Sequence, residues 1–248
     1  MISRPVNMLL VLAAIGCTAD KDTNDTSDIG FAPNPNSDSD SDSDTPSPYT
    51  GGWPVNPDKD DLGDPPWDPP ATIGAQAPHY TAIDQYGDVV DLYDFAGHGV
   101  PIIIDMGTIY CGPCKALASY LSDGDMSHLL WEREGDTGTP DYYPWWDEDY
   151  EGLRDMVANG EIYWLTILFN ESASGPTDQE ECATWHEEFP NPYIPVLADS
   201  ELQMKTWLGI ESYPTLNLLN SDMTLEIHST GGPFEVLRHV GDMLAETK

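Results

Sequence analysis

An apolar run that ends at a pair of cysteines constrains this 248-residue chain more than any other feature. Residues 102–115 have the sequence Ile-Ile-Ile-Asp-Met-Gly-Thr-Ile-Tyr-Cys-Gly-Pro-Cys-Lys. Consecutive β-branched isoleucines predict a strand that is covered on both faces. A helical pattern begins near Gly112, so Cys111 is expected just before the first turn of a helix.

This position suits a reactive cysteine. The free amide N–H groups and the dipole at a helix N-terminus favour an anion, here the thiolate of Cys111. A thiolate is the nucleophile of disulfide exchange. Cys114 lies one turn further along the helix, from where it can attack a mixed disulfide on Cys111 and release the reduced partner.

A Cys-x-x-Cys pair can also be half of a zinc site, which usually has four ligands from a second Cys or His pair at short spacing. The sequence has no second Cys-x-x-Cys, and its six histidines show no metal-ligand spacing. We therefore favour the redox interpretation and expect neither a bound metal nor a cofactor.

With these residues, the chain resembles the thioredoxin superfamily, in particular its redoxin/TlpA-like envelope branch. Cys111-Gly112-Pro113-Cys114-Lys115 matches the family's active-site sequence, and Asp105, six residues earlier, matches its buried acid. The resemblance extends over residues 71–248 and includes three further segments, which are residues 73–92, residues 208–216 and Gly231-Gly232. It implies an α/β, thioredoxin-like fold with a mixed central sheet flanked by helices.

The resemblance also implies roles for individual residues. Cys111 and Cys114 form the redox-active disulfide, Asp105 exchanges protons with Cys114, and Pro214 is the cis-proline that positions substrate. Burial of Asp105 in an apolar strand should also raise its pKa. The alternatives are a carboxylate that turns outward or caps a turn, and a trans proline at a strand start. The expected substrate-binding residues are Tyr110, Gly112, Pro113, Tyr213 and Gly231.

Two of these residues differ from the family pattern. Tyr110 replaces the tryptophan usual before the first cysteine, and Tyr213 replaces the threonine or valine common before the cis-proline. Both flank the expected substrate groove.

The first 16 residues predict a secretion signal, with Arg4 followed by an apolar run too short to span a bilayer. Residues 13–17, Ala-Ala-Ile-Gly-Cys, resemble a bacterial lipobox, so we expect lipidation of Cys17. An ordinary signal peptide with Cys17 as a spare thiol is the alternative. Residues 17–70 are rich in Ser, Asp and Pro, which predicts a disordered acidic linker.

The chain is strongly acidic, with a formal net charge of −35. This charge argues against nucleic acid and against attraction to anionic lipid. The expected location is the bacterial cell envelope, with the lipid anchor as the only membrane contact. The expected partners are protein thiols or disulfides as substrates and a membrane-derived thiol electron donor or acceptor.

The pattern within residues 71–248 predicts strands that alternate with helices, and an insertion at about residues 135–160. Dense aromatic residues at 142–146 could bind a partner, but we expect them to pack the insertion onto the domain. Cys182 is the odd cysteine, and we expect a buried free thiol rather than a third redox residue.

Two other functions stay open. Thr108-Ile109-Tyr110-Cys111 also fits the Thr-x-x-Cys of peroxiredoxins, which predicts a thiol peroxidase. Those enzymes place a proline where this chain has Ile104, and they rely on an arginine beside the thiolate. The second alternative is a non-catalytic tethered binding module on the same fold.

Overall fold

The computed structural model describes residues 52–131, 140–170 and 175–246. The predicted signal peptide, the lipidation site Cys17 and the linker up to residue 51 lie outside the described residues, as does the beginning of the predicted insertion. Within these ranges, no helix has the length and apolar character needed to cross a membrane.

Nine strands and five α-helices make up the described part of the chain. The strands are β1 (Thr81–Ile83), β2 (Val89–Asp91), β3 (Ile102–Gly107), β4 (Leu130–Trp131), β5 (Asp141–Tyr142), β6 (Tyr163–Leu168), β7 (Val196–Ala198), β8 (Thr215–Leu219) and β9 (Leu225–Ile227). The α-helices are α1 (Gly112–Asp123), α2 (Leu153–Ala158), α3 (Gln179–Glu188), α4 (Gln203–Leu208) and α5 (Phe234–Glu246).

The main sheet has five strands in the order β7-β6-β3-β8-β9. The central strand β3 pairs parallel with β6 and antiparallel with β8. Every residue of these three strands is buried, which fits their apolar, β-branched sequences. The predicted mixed sheet flanked by helices is confirmed.

Side chains of β3 alternate between two apolar layers. Ile102, Ile104 and Met106 pack in the layer that contains α4 and the residues around β2. Ile103 points the other way, into the layer formed by α1, α2 and α5. Because successive side chains of a strand face opposite sides, Asp105 and Gly107 share the α1 side with Ile103.

The structure divides two segments with a helical sequence pattern into shorter elements. The helical pattern of residues 114–131 predicts a break or bend near Ser122-Asp123-Gly124, and α1 ends there at Asp123, because Gly124 adopts a left-handed conformation and caps it. The helix expected over residues 147–159 is a 3-10 turn followed by α2, which begins only at Leu153.

Packing onto the domain begins at Trp53, before the predicted boundary at residue 71. The Trp53 indole N–H donates to Asp84 at 2.8 Å. Lys59 forms ion pairs with Asp91 at 3.0 Å and with Asp94 at 2.9 Å. Aromatic and basic side chains thus fix the end of a segment whose overall composition predicts disorder.

Candidate active site

The disulfide lies where β3 passes into α1. Cys111 is the N-cap of α1, and Pro113 occupies the first turn, where a missing N–H costs nothing. The Cys111 sulfur accepts a hydrogen bond from the backbone N–H of Cys114 at 3.0 Å. Cys111 and Cys114 are joined by a disulfide, as the resemblance predicts. The amide and the helix dipole will stabilise a thiolate on Cys111 when the bond opens.

Both sulfurs lie in a third apolar cluster, between α1 and α3. It contains Leu168, Cys182, Trp185, Phe189, Val196 and Ala198 beside the disulfide. Each of the two disulfide cysteines is only 4% exposed. By contrast, Tyr110 is 66% exposed, and Gly112 is exposed as well. A partner would therefore approach the disulfide from the side of Tyr110 and Gly112.

Asp105 lies on the strand face that leads to Cys114. Gly107 is the next residue on that face, and a Cβ added to it would lie 3.4 Å from the Cys114 sulfur. Two residues of a strand span about 6.6 Å, so Asp105 sits one step deeper than Gly107 beneath α1. Because Gly107 has no side chain, the backbone of β3 passes close to the Cys114 sulfur.

The surroundings of Asp105 favour its protonated form. Burial raises the pKa of this carboxyl to about 7, although the side chains of Thr166 and Trp164 lower it in part. The Thr166 hydroxyl donates to Oδ2 at 3.3 Å, while Oδ1 has no hydrogen-bond partner among the described residues. Asp105 can therefore both hold and release a proton near neutral pH.

The Tyr213–Pro214 segment borders the same end of the sheet. Its peptide bond is cis, as the resemblance predicts. Met106 pairs with Thr215, so one more step of the antiparallel register places Pro214 opposite Gly107. The Tyr213 side chain is 44% exposed. This segment thus lies level with the disulfide.

The loop before α5 runs along that segment. Backbone N–H groups of Glu211 and Ser212 donate to the carbonyl of Thr230 at 2.7 and 3.3 Å. Gly231 follows, and a Cβ there would collide with the Ser212 side chain. Glycine at this position therefore leaves room for the Ser212 hydroxyl between the two loops.

The surface beside the disulfide is acidic. A cavity of about 310 Å³ lies there and is lined by Ile109, Lys115, Asp178, Glu180, Glu181, Thr184, Trp185 and Glu188. Its single cationic group, the ammonium of Lys115, is ion-paired with Glu188 at 2.9 Å. The four carboxylates disfavour a further negative charge nearby, so they oppose the helix dipole in stabilising a thiolate.

Cys182 is a free, fully buried thiol, as predicted. Burial, together with the nearby carboxylates of Glu181, Asp178 and Asp84, raises its pKa to about 12. A thiol in such surroundings is unreactive, because the thiolate is the nucleophile.

The aromatic residues at 142–146 pack mainly on their own domain. Tyr143 stacks between Trp131 and Trp145, with ring centroids 6.1 and 5.1 Å apart. Trp146 meets the ring of Tyr120 in α1 edge-on at 4.8 Å. Both tryptophans of the segment belong to the buried layer around α1, which agrees with the packing role that we expected.

Sequence reasoning missed Thr166, because its contact with Asp105 depends on strand register. The two residues are 61 positions apart and meet only when β3 and β6 pair. The available signal was a single polar residue in the apolar stretch that forms β6.

No protein-family model matches this chain, and no curated protein matches it. Solved structures with a similar fold include a conserved protein of unknown function from Bacteroides fragilis, with 16% identity and a TM-score of 0.44 over 68% of this chain and 98% of the other. Another is the thioredoxin domain of a thiol-disulfide oxidoreductase from Bacteroides vulgatus, with 16% identity and a TM-score of 0.43 over 71% and 98%.

A third similar structure is the exposed lipoprotein thioredoxin of Streptococcus pneumoniae, with 16% identity and a TM-score of 0.43 over 68% of this chain and 98% of that protein. Strand order in this chain, the disulfide at the start of α1 and the cis-proline level with it agree with the fold expected from the sequence. The fold is thioredoxin-like.

Proposed function

We propose that this chain is a thiol–disulfide oxidoreductase that exchanges disulfides with protein substrates. The observation that supports this most strongly is the disulfide between Cys111 and Cys114 at the N-terminus of α1. A helix N-terminus stabilises the thiolate that opens and closes such a bond. The buried Asp105 on the adjacent strand supplies a group that titrates near neutral pH.

In the reducing direction, the Cys111 thiolate attacks a substrate disulfide. A bond forms between the Cys111 sulfur and one substrate sulfur, and the other substrate sulfur leaves as a thiolate that takes up a proton. Asp105 then accepts the proton of the Cys114 thiol. The resulting Cys114 thiolate attacks the Cys111 sulfur, which restores the Cys111–Cys114 disulfide and releases the second substrate thiolate. Two electrons pass to the substrate, and the oxidising direction is the reverse.

The substrate segment is proposed to lie along the loop that contains Tyr213 and Pro214, with Gly231 on its far side. Register places Pro214 opposite Gly107, and Tyr213 is partly exposed at this edge. An extended segment could pair with the backbone there in the manner of an added strand. Tyr110, Gly112 and Pro113 would contact the substrate from the α1 side.

The proposed location is the bacterial envelope, with the chain tethered through a lipid on Cys17. This part of the proposal follows from the amino-terminal sequence, which combines an apolar run, a small-residue motif and an acidic linker. Electrons would come from, or pass to, a membrane thiol partner. A redox titration of the Cys111–Cys114 pair would give the direction. A potential near −270 mV fits a reductase, and one near −120 mV fits an oxidant.

Replacement of Cys114 by Ala provides the central test. The variant keeps the attacking cysteine but cannot resolve the mixed disulfide, so it should accumulate covalent complexes with its substrates in cells. Complexes should be released by dithiothreitol, and their partner peptides can be identified by mass spectrometry. Cys111→Ala should trap nothing, and Cys182→Ser in the Cys114→Ala background should trap as well as its parent. Absence of trapped partners, or equal trapping without Cys111, would contradict the proposal.

The same variants separate the alternatives. A thiol peroxidase would consume hydrogen peroxide rapidly with oxidation of the Cys111–Cys114 pair, and loss of Cys111 would abolish this reaction. A non-catalytic binding module would keep its cellular function in Cys111→Ser. No observation in the structure favours either alternative over disulfide exchange.

A further inference from the structure

Among the described residues, Thr166 donates a side-chain hydrogen bond to Asp105. It lies on β6 directly opposite Asp105 of β3, and its hydroxyl is 3.3 Å from Oδ2. Both side chains are buried, with exposures of 4% and 6%. The other carboxyl oxygen, Oδ1, has no hydrogen-bond partner in the part of the chain that the structure describes.

Among the described residues, no charged group contributes to the pKa shift of Asp105. Burial and the side chains of Thr166 and Trp164 account for the altered pKa of Asp105. The helices over this face present apolar residues, such as Leu117 of α1 and Val236 of α5. The titratable groups on the surrounding elements are Cys114 and Tyr120 of α1, Arg154 and Asp155 of α2, Tyr163 of β6, and Cys182 and His186 of α3, together with the surface residues of α1, α3 and α5. The Arg154 guanidinium donates to the carbonyl of Ser122.

None of these titratable groups offers a cation to Asp105. Cys114 is in the disulfide, and the Tyr120 hydroxyl donates to the carbonyl of Glu151. Tyr163 packs in the layer on the opposite side of the sheet. The His186 ring meets Tyr86, and burial lowers its pKa. A neutral hydroxyl is therefore the group available to stabilise the carboxylate.

We propose that Thr166 is a positioning residue for proton transfer, whose hydroxyl orients the Asp105 carboxylate and stabilises its charged form for deprotonation of Cys114. This inference rests on the proposed function. The step moves one proton from the Cys114 thiol to Asp105, while the Thr166 O–H keeps its own proton and donates to Oδ2. No electron moves until the new thiolate attacks the Cys111 sulfur.

The direct test is the pKa of Asp105 in the oxidised protein, measured from the carboxyl carbon signal by NMR. Valine at position 166 has the shape of threonine but no hydroxyl. Because a hydrogen bond to a carboxylate stabilises the charged form, Thr166→Val should raise the pKa of Asp105 by about one. Thr166→Ser keeps the donor and should restore a pKa near that of the wild type. This measurement requires no catalytic activity.

The kinetic test follows the resolution of a mixed disulfide. The full chain with Cys17→Ser is reduced and mixed with one equivalent of 5,5′-dithiobis(2-nitrobenzoate). Attack by Cys111 releases one coloured thiolate, and attack by Cys114 releases the second. At pH 7, Thr166→Val should slow the second release about fivefold, because about a tenth rather than half of Asp105 is then ionised. Its rate should approach the wild-type rate above pH 9.

Asp105→Asn distinguishes a positioning role from a general packing effect. In that background, Thr166→Val should leave the pH profile of the second release unchanged, since the titrating group is gone. An unchanged Asp105 pKa in Thr166→Val, or an equal shift in the Asp105→Asn background, would overturn the inference. If the wild type does not release the second coloured thiolate, the proposed oxidoreductase function fails. The NMR titration would still test whether the Thr166 hydroxyl stabilises the Asp105 carboxylate.

Discussion

The buried Asp105 makes the folded protein less stable as the pH rises, and replacement of Asp105 by Asn should remove this pH dependence. The folded protein raises the pKa of this carboxyl from 3.8 to about 7. Below pH 4 the Asp105 carboxyl is protonated in both the folded and the unfolded chain. Between pH 4 and about pH 7 it is protonated to a larger extent in the folded chain. Stability from this group is therefore present at low pH and is lost as the pH rises through the folded pKa.

The size of the effect follows from the two values. A difference of about three pKa units corresponds to about 4 kcal/mol of unfolding free energy, lost between pH 4 and pH 8. Asparagine has nearly the same shape and does not titrate, so Asp105→Asn lacks this loss. Relative to the wild type, the variant should gain about 4 kcal/mol in unfolding free energy between pH 4 and pH 8.

Urea unfolding of the oxidised protein at intervals from pH 4 to pH 8.5 measures this difference. Keeping the disulfide closed excludes titration of the two active-site cysteines. The strongly acidic chain will show a large pH dependence of its own, so the informative quantity is the difference between variant and wild type. Asp60→Asn removes an exposed carboxylate and serves as the control for the loss of one negative charge. A difference that varies by less than about 1 kcal/mol over this range would refute the reasoning.

Three further predictions concern the parts around the site. In the native protein, alkylation of Cys182 by iodoacetamide, followed by peptide mass spectrometry, should be at least about a hundredfold slower than in urea, because burial suppresses its thiolate. Trp53→Ala should lower the unfolding free energy by about 2 kcal/mol, because it removes packing and a hydrogen bond. Lys59→Met should lower it by less than about 1 kcal/mol, and thermal unfolding of both variants measures the difference. Gly231→Ala should lower the melting temperature through its collision with Ser212, and Ser212→Gly in the same chain should restore it.

The sequence was sufficient to predict the strand–cysteine–helix unit because the information there is local. Three isoleucines bury both faces of β3, and the two cysteines with their proline mark the start of α1. The same holds for the turn residues that predict the β1–β2 hairpin and for the apolar run that predicts the buried β6. In each case the residues that determine the element are neighbours in the chain.

Features that depend on distant residues were not predictable in this way. The end of the acidic segment is fixed by the contact of Trp53 with Asp84, 31 residues later, and composition alone cannot show such a contact. Thr166 reaches Asp105 only through the register of two strands that are separated by a helix and the predicted insertion. The helical pattern of residues 147–159 gives an α-helix only from Leu153, after a 3-10 turn at residues 148–150.

The alternation of β3 explains how one strand can serve both the core and the chemistry. Ile103, Asp105 and Gly107 follow one another on the side that faces α1. Ile103 packs in the apolar layer, Asp105 carries the titrating carboxyl, and Gly107 lets the strand pass close to Cys114. A slip of one residue would turn Asp105 into the opposite apolar layer and place a side chain against the sulfur. The same isoleucines that fix the register therefore also keep the acid on the α1 side of β3, nearly closed off from solvent, with the Thr166 hydroxyl as a hydrogen-bond donor.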